Sequence, residues 1–130
     1  MDGDAALADM IARLRRLGSE GLELAAREAR PLVEAAAKAT AAAGTDPYGN
    51  PWPLRKDGQR AIPDAAAAVD VVVRGPNLII QAHRGAAVQN SLAGTRYGRQ
   101  VIPDAARGLP PGMSAALREG ASRALRRLVA

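Results

Sequence analysis

The sequence lacks cysteine and phenylalanine, and it contains a single histidine, His83. Without cysteine the chain has no disulfide framework, no thiolate ligand for zinc and no cysteine nucleophile. A nucleophile–base pair or a histidine metal site needs partner residues, and no cluster of carboxylates accompanies His83. The sequence therefore predicts a non-enzyme with no metal or cofactor site, in which His83 is a structural hydrogen-bonding residue. A hydrolase that uses His83 is the enzymatic alternative.

Large apolar side chains are also scarce. Hydrophobic residues make up 48% of the chain, but many of them are alanine, and only three residues, Tyr48, Trp52 and Tyr97, are aromatic. A core of Leu, Val, Ile and Ala buries little area per residue, and burial contributes roughly 25 cal/mol per Å² of apolar surface. An isolated subunit is therefore expected to be marginally stable, which favours assembly with other chains.

Segments that would enter a membrane are missing. No apolar run approaches the roughly 20 residues that a membrane-spanning helix needs. The first residues, Met1-Asp2-Gly3-Asp4, are acidic where a signal peptide would be basic. The sequence predicts a soluble protein of the cytoplasm with no membrane partner.

Positive charge is concentrated in one third of the chain. The formal net charge is +5, and residues 84–130 carry eight arginines against Asp104 and Glu119. Such a segment could contact nucleic acid or an acidic protein surface, or could be a solvated face with no partner. The candidate contacts to DNA or to an acidic partner lie near the C-terminus: Arg118, Arg123, Arg126 and Arg127.

Helical periodicity is present at both ends of the chain. Residues 1–43 are predicted to be helical: one helix follows Asp4, and a second apolar stripe runs from Ser19 towards Gly44. Pro31 lies inside the second stripe, which fits either one bent helix or two helices. The last helix is predicted over residues 113–130, where apolar residues again share one side.

The centre of the chain predicts a loop followed by a hairpin. Residues 44–68 form a long loop around Asp46-Pro47-Tyr48-Gly49-Asn50-Pro51-Trp52-Pro53, where three prolines and a glycine exclude a helix. Residues 69–83 contain two runs rich in β-branched residues around Arg74-Gly75-Pro76-Asn77, which predict a β-hairpin. Residues 84–112 show no helical or strand period and predict an irregular extended arm, ordered by neighbouring subunits or disordered.

The sequence thus predicts a single domain, 1–130, of the α+β class. Its elements are N-terminal helices, a small antiparallel β-sheet with a central hairpin, long irregular loops and a C-terminal helix.

Three strings, taken in order, resemble the phage virion morphogenesis, or tail completion, family. The first is Gly44-Thr45-Asp46-Pro47-Tyr48-Gly49-Asn50-Pro51-Trp52-Pro53-Leu54-Arg55-Lys56. The second is Gln81-Ala82-His83-Arg84-Gly85, and the third combines Arg99-Gln100-Val101-Ile102-Pro103 with Gly108-Leu109-Pro110. The chain departs from the family pattern between residues 58 and 68, where it has Ala61-Ile62-Pro63-Asp64-Ala65-Ala66 in place of a Thr-Gly-x-Leu step.

The resemblance implies a structural, tail terminator-like protein of the virion, assembled in the host cytoplasm. The subunit would form a homo-oligomeric ring, taken as a hexamer, that caps the tail tube and docks it to the head. Its partners would be other copies of itself, the tail-tube protein and the neck or connector proteins, with DNA passing through the lumen without sequence-specific binding. The alternatives are a head-completion or neck adaptor subunit, and a small basic nucleic-acid-binding protein.

The same resemblance points to the Trp52 loop and the arm as subunit contacts. Arg96, Tyr97 and Arg99 could also bind a nucleic-acid backbone and stack a base, although a subunit contact is favoured. Whether Trp52 belongs to the core or to an interface is left open. The candidate subunit-interface or loop-anchor residues are Pro47, Tyr48, Gly49, Trp52, His83, Arg96, Tyr97, Arg99 and Pro103.

Overall fold

The computed structural model describes residues 3–93 and 98–129. Within these ranges the fold is α+β, as the sequence predicts, with four helices and a two-stranded antiparallel sheet. The elements are α1 (Gly3–Arg16), α2 (Ser19–Ala43), a 3₁₀ turn (Ala65–Ala68), β1 (Val69–Arg74), β2 (Asn77–Ala82), α3 (Arg84–Ser91) and α4 (Pro111–Val129). None of the described helices combines the length and apolarity needed to cross a bilayer.

The two N-terminal helices are separated by a short glycine turn. Gly18 has a φ of +100°, a conformation that glycine adopts without a Cβ clash, and its N–H donates to the carbonyl of Arg15 at the end of α1. Pro31 lies on an exposed position inside α2, and the helix continues through it to Ala43. Of the two alternatives for this stretch, the structure therefore has one helix.

The hairpin occupies the predicted residues. Gly75 and Pro76 form its two-residue turn, and the φ of +58° at Gly75 suits the first central position of a type II′ turn. At the open end of the hairpin the N–H of His83 donates to the carbonyl of Ala68 at 2.7 Å. Val69 and Val71 of β1 are buried, whereas no residue of β2 is.

The chain divides into two compact units. Unit 1 comprises Met1–Glu34, Val71–Ile79 and Pro111–Ala130, and unit 2 comprises Ala35–Asp70 and Ile80–Pro110. The prediction of a single domain stays a prediction.

Unit 1 is built from α1, the first part of α2 and α4. Leu7, Leu14, Ala121 and Ala124 form its buried cluster. Gly120 of α4 lies so close to α2 that a Cβ on it would stand 2.5 Å from the Cβ of Ala29. The two helices can approach this closely because neither carries a large side chain at the crossing.

Unit 2 contains the Trp52 loop and the 84–110 segment. Its buried apolar residues are dispersed over the end of α2, the short elements and the loops, and they include Ala37, Ala41, Ile62, Ala65, Val69, Ala86, Val101 and Pro110. The predicted irregular arm differs from the structure at its start, because α3 occupies residues 84–91 and packs on the 3₁₀ turn. Only Ala86 of this helix is buried, so the sequence carries no apolar stripe that would reveal it. Residues 98–110 contain no helix or strand.

Candidate interaction site

The Trp52 loop is organised around the carboxylate of Asp46. This buried side chain accepts hydrogen bonds from the backbone N–H groups of Tyr48 at 2.9 Å and Asn50 at 3.0 Å, and from the Asn50 amide at 3.1 Å. The backbone closes the same turn, since the N–H of Asp46 donates to the carbonyl of Asn50 at 2.8 Å. Gly49 has a φ of +92°, which favours glycine at this point of the turn. The loop is therefore a rigid, locally hydrogen-bonded unit.

The protonation of Asp46 is tied to this geometry. Burial opposes its charged form and by itself would raise the pKa of the carboxyl. The hydrogen bonds from Asn50 and Tyr48, together with the nearby Arg107, outweigh burial, so the pKa of Asp46 lies below its ordinary value. Asp46 is therefore a carboxylate that the loop itself stabilises.

Aromatic side chains fasten this loop to residues 98–110 within unit 2. The Tyr48 hydroxyl donates to the carbonyl of Gly108 at 2.6 Å and lies 3.3 Å from that of Asp104. The Trp52 indole N–H donates to the carbonyl of Gln100 at 2.8 Å. Both rings are half-buried, and the polar group of each donates a hydrogen bond to a backbone carbonyl. Tyr48 and Trp52 are therefore anchors within the subunit.

Arg107, in the 98–110 segment, also contacts the loop, through Tyr48 and Asp46. Its guanidinium lies 3.9 Å from the centroid of the Tyr48 ring, and Nη1 is 3.6 Å from the Asp46 carboxylate. The same Nη1 donates to the Gln100 side chain at 3.1 Å, while the backbone N–H of Arg107 donates to Asp104 Oδ1 at 2.7 Å. A cation over a ring face is attracted by the ring quadrupole, which adds to the ion pair.

Two amide side chains hold the 98–110 segment in shape. Gln100 Nε2 donates to Asp104 Oδ2 at 2.9 Å and to the carbonyl of Ile102 at 3.1 Å. Asn90, at the end of α3, accepts from the N–H groups of Val101 at 2.8 Å and Ile102 at 3.1 Å. These side chains supply the partners that an irregular backbone cannot find in a helix or sheet.

Some of these residues are predicted from the sequence, and others are not. Arg99 belongs with the predicted loop residues, since its Nε donates to the carbonyl of Pro53 at 3.1 Å. Pro47 is buried in the turn, and Pro103 is half-buried in the 98–110 segment. The missed residues are Asn90, Gln100, Asp104 and Arg107. The signal that could have found them is the density of Gln, Asn and Asp in a segment rich in Pro and Gly, where side chains satisfy the backbone.

The His83 side chain makes its contact with β1 of the hairpin. It lies at the end of β2, half-exposed, with Nε2 3.0 Å from Asp70 Oδ2. This contact agrees with a hydrogen-bonding role at a strand end. Arg96 and Tyr97, also predicted as contact residues, lie outside the described residues.

The arginines of α4 are placed mostly in ion pairs of unit 1. Arg123 and Arg126 lie 3.0 and 3.6 Å from Glu119, and Arg127 pairs with Glu28 of α2. Arg118 is half-buried. Two glutamates therefore offset part of the positive charge of this helix. Within the described residues, no group of three or more acidic or histidine side chains is arranged to hold a metal ion.

Comparison with known proteins found no family model, no curated protein and no solved structure that matches the chain. The resemblance to the tail completion family is therefore a hypothesis that depends on the three quoted strings.

Proposed function

We propose that the protein is a structural subunit of a phage virion, of the tail completion or tail terminator type, which forms a ring where the tail meets the head. The observation that carries the proposal is that the string Gly44–Lys56, the most specific part of the family resemblance, folds as a rigid loop. Side chains of Tyr48, Trp52 and Arg107 bind this loop to the arm within the same unit.

The Trp52 loop and residues 98–110 together are suited to act as a rigid scaffold for contacts with other subunits. The loop and residues 98–110 are joined chiefly through backbone carbonyls, so their shape is preserved while many outward side chains remain available. Large apolar side chains are exposed on both segments, with Leu54 62% and Leu109 48% exposed. Exposed apolar groups on a rigid segment are the usual material of a subunit interface.

The proposed ring would place the Trp52 loop and the arm between subunits, with the tail-tube protein and a neck or connector protein above and below. DNA would pass through the lumen without sequence-specific contacts. Ion pairs with glutamates partly offset the charge of Arg123, Arg126 and Arg127. These arginines therefore do not favour the alternative of a dedicated nucleic-acid-binding protein. A neck adaptor of the same junction would share the loop and the arm.

Two measurements test the proposal. Mass spectrometry of purified virions is expected to detect the protein in a few copies per particle, and its absence from the particles would overturn a virion role. Native mass spectrometry or electron microscopy of the concentrated protein is expected to show a ring.

A matched pair of variants tests the interface. Leu54→Ser is expected to reduce ring formation without changing the melting temperature, because its side chain contributes little to the monomer. Leu128→Ser is the control, since Leu128 is also exposed but lies on α4. Equal loss of assembly in both variants would contradict the assignment of the interface to the loop.

A further inference from the structure

The two outer edges of the β-hairpin are treated differently by the rest of the chain. The two-residue turn and the bond from His83 to Ala68 set the register, in which Arg74 opposes Asn77 and each later pair follows in step. Alternate residues therefore direct their N–H and C=O groups away from the partner strand. On β1 these are Val69, Val71 and Val73, and on β2 they are Leu78, Ile80 and Ala82.

The outer edge of β1 is covered by basic side chains of α2. Lys38 Nζ donates to the carbonyl of Val69 at 2.7 Å and to that of Ala66 at the same distance. Arg30 donates to the carbonyl of Val71 at 3.3 Å. A lysine or arginine on a strand edge is a common way to prevent pairing with another strand, because its donors occupy the acceptors that the other strand would use.

The outer edge of β2 has no such cover. Throughout residues 3–93 and 98–129, no hydrogen bond is made by the outward backbone groups of Leu78, Ile80 and Ala82. Each of the three residues is partly exposed. The strand Asn-Leu-Ile-Ile-Gln-Ala contains no charge, proline or glycine, which are the features that normally keep an edge strand from pairing.

We propose that β2 pairs antiparallel with β2 of a second copy of this chain, joining two hairpins into one four-stranded sheet. Centred on Ile80, this pairing sets Ile80 opposite Ile80 of the second copy and Leu78 opposite Ala82. All the outward N–H and C=O groups then meet a partner across the two-fold axis. A two-stranded sheet is marginal by itself, and a third and fourth strand extend it to a stable size.

The second copy is the occupant that the charges favour. An uncharged strand can lie against itself without like charges in opposition, whereas opposed like charges destabilise a strand pair. Leu78, Ile79 and Ile80 also give the pair an apolar centre, with Gln81 opposite Ile79 at its rim. The β1 edge is less suited to this role, because Lys38 and Arg30 occupy two of its three outward carbonyls, those of Val69 and Val71.

This pairing does not depend on the proposed ring. A two-fold contact between identical edges is isologous, whereas a ring is closed by heterologous contacts. A purified protein that forms the dimer but no ring would count against the ring alone. A protein that forms a ring without pairing of the β2 strands would count against the strand pairing alone.

Amide hydrogen exchange at increasing protein concentration tests the inference directly. The amides of Asn77, Ile79 and Gln81 bond within the hairpin and are expected to be protected at every concentration. The amides of Leu78, Ile80 and Ala82 are expected to become protected only as dimer forms, as measured in parallel by sedimentation velocity. A protein that stays monomeric, or a dimer in which these three amides exchange as in the monomer, would overturn the pairing.

A matched pair of variants gives the second test. Ile80→Lys replaces an apolar pair by two lysines opposite each other across the axis and is expected to raise the dimer dissociation constant about tenfold. Gln81→Lys adds the same charge to the same strand but sets it opposite Ile79, so its dissociation constant is expected to stay within about threefold of wild type. Equal weakening by both, with circular dichroism showing that both are folded, would contradict the register and the occupant. If Ile80→Lys does not fold, the exchange pattern of the unaltered protein decides.

Discussion

The contacts inside unit 1 differ in kind from the contacts inside unit 2. In unit 1, helices meet through small and aliphatic side chains, with Gly120 against Ala29 and Leu14 fully buried. In unit 2, an irregular loop is joined to an irregular arm mainly by side chains that bond to backbone carbonyls, as Tyr48 and Trp52 do. The first arrangement depends on volume, and the second on the placement of single polar atoms.

The difference shows two ways in which a chain with no phenylalanine and few aromatic residues stabilises a compact unit. Close packing of alanine and glycine compensates for small side chains by bringing helix backbones together. Where the chain cannot form helices, each aromatic ring contributes both apolar area and one directed hydrogen bond. Substitutions should therefore act by different physical routes in the two units.

The largest effect is expected at the helix crossing of unit 1. Gly120→Ala puts a Cβ 2.6 Å from the Cα of Ala29, which is backbone and cannot move aside, so the free energy of unfolding should fall by about 3 kcal/mol. Urea denaturation measures it. The control is Gly85→Ala on α3, where a Cβ meets nothing within 4 Å and should stabilise by about 0.5 kcal/mol. Similar results for both variants would contradict the close crossing.

The next effect concerns the indole of unit 2. Trp52→Ala should lower the free energy of unfolding by about 2 to 3 kcal/mol, because it removes a half-buried ring and its bond to Gln100. Trp52→Phe keeps most of the ring and should cost about 1 kcal/mol, the net value of one hydrogen bond. Thermal and urea denaturation distinguish the two. A Trp52→Ala protein that melts like wild type and fails to assemble would make the indole an interface anchor.

A pH-dependent effect is expected at Asp46. Since its pKa is lowered in the folded protein, the carboxylate contributes stability above the unfolded pKa of about 3.9, and this contribution is lost as the pH falls through the lower folded value. Asp46→Asn should therefore cost about 2 kcal/mol at pH 7. The difference from wild type should shrink as the pH falls below the unfolded pKa of about 3.9. A difference that stays constant across this range would exclude the charge as its source.

The smallest effect is expected on the surface of unit 1. Arg127→Ala removes the pair with Glu28, but the Arg127 side chain is 66% exposed, and such pairs contribute about 0 to 1 kcal/mol. Denaturation at low and high salt measures the contribution, which should fall further as salt screens the pair. A loss as large as that of Gly120→Ala would show that the crossing of α2 and α4 depends on charge.

The helices and the hairpin could be predicted because their signals are periodic. Leu7, Met10, Ile11 and Leu14 of α1 recur at the spacing of a helix face. The β-branched residues of β1 identify a strand. Helix α3 could not be predicted, since it buries only Ala86 and its neighbours show no stripe. The course of α2 through Pro31 was likewise open, because a proline inside a helix is compatible with both a break and a continuation.

Three of the side chains that join the loop to the arm are among the candidates named from the sequence. Tyr48, Trp52 and Arg99 were identified from residue type, turn chemistry and the quoted strings. Their partners could not be, because the groups that receive these bonds on Gln100, Gly108 and Pro53 are backbone carbonyls, which every residue has. The same reason hides the difference between the hairpin edges, since a lysine in α2 carries no sign in the sequence that it reaches Val69.

Composition and periodicity by themselves determined the class of fold and the positions of α1, α2, α4 and the hairpin. They also determined the rigidity of the segment from Asp46 to Pro53. The reason is that proline, glycine and apolar spacing act locally on φ, ψ and burial. Only the tertiary structure decided that Trp52 and Tyr48 bind the arm, that Arg107 covers Tyr48, and that one hairpin edge is covered while the other is open. These contacts join residues far apart in sequence through single polar atoms, and no local pattern specifies where such atoms meet.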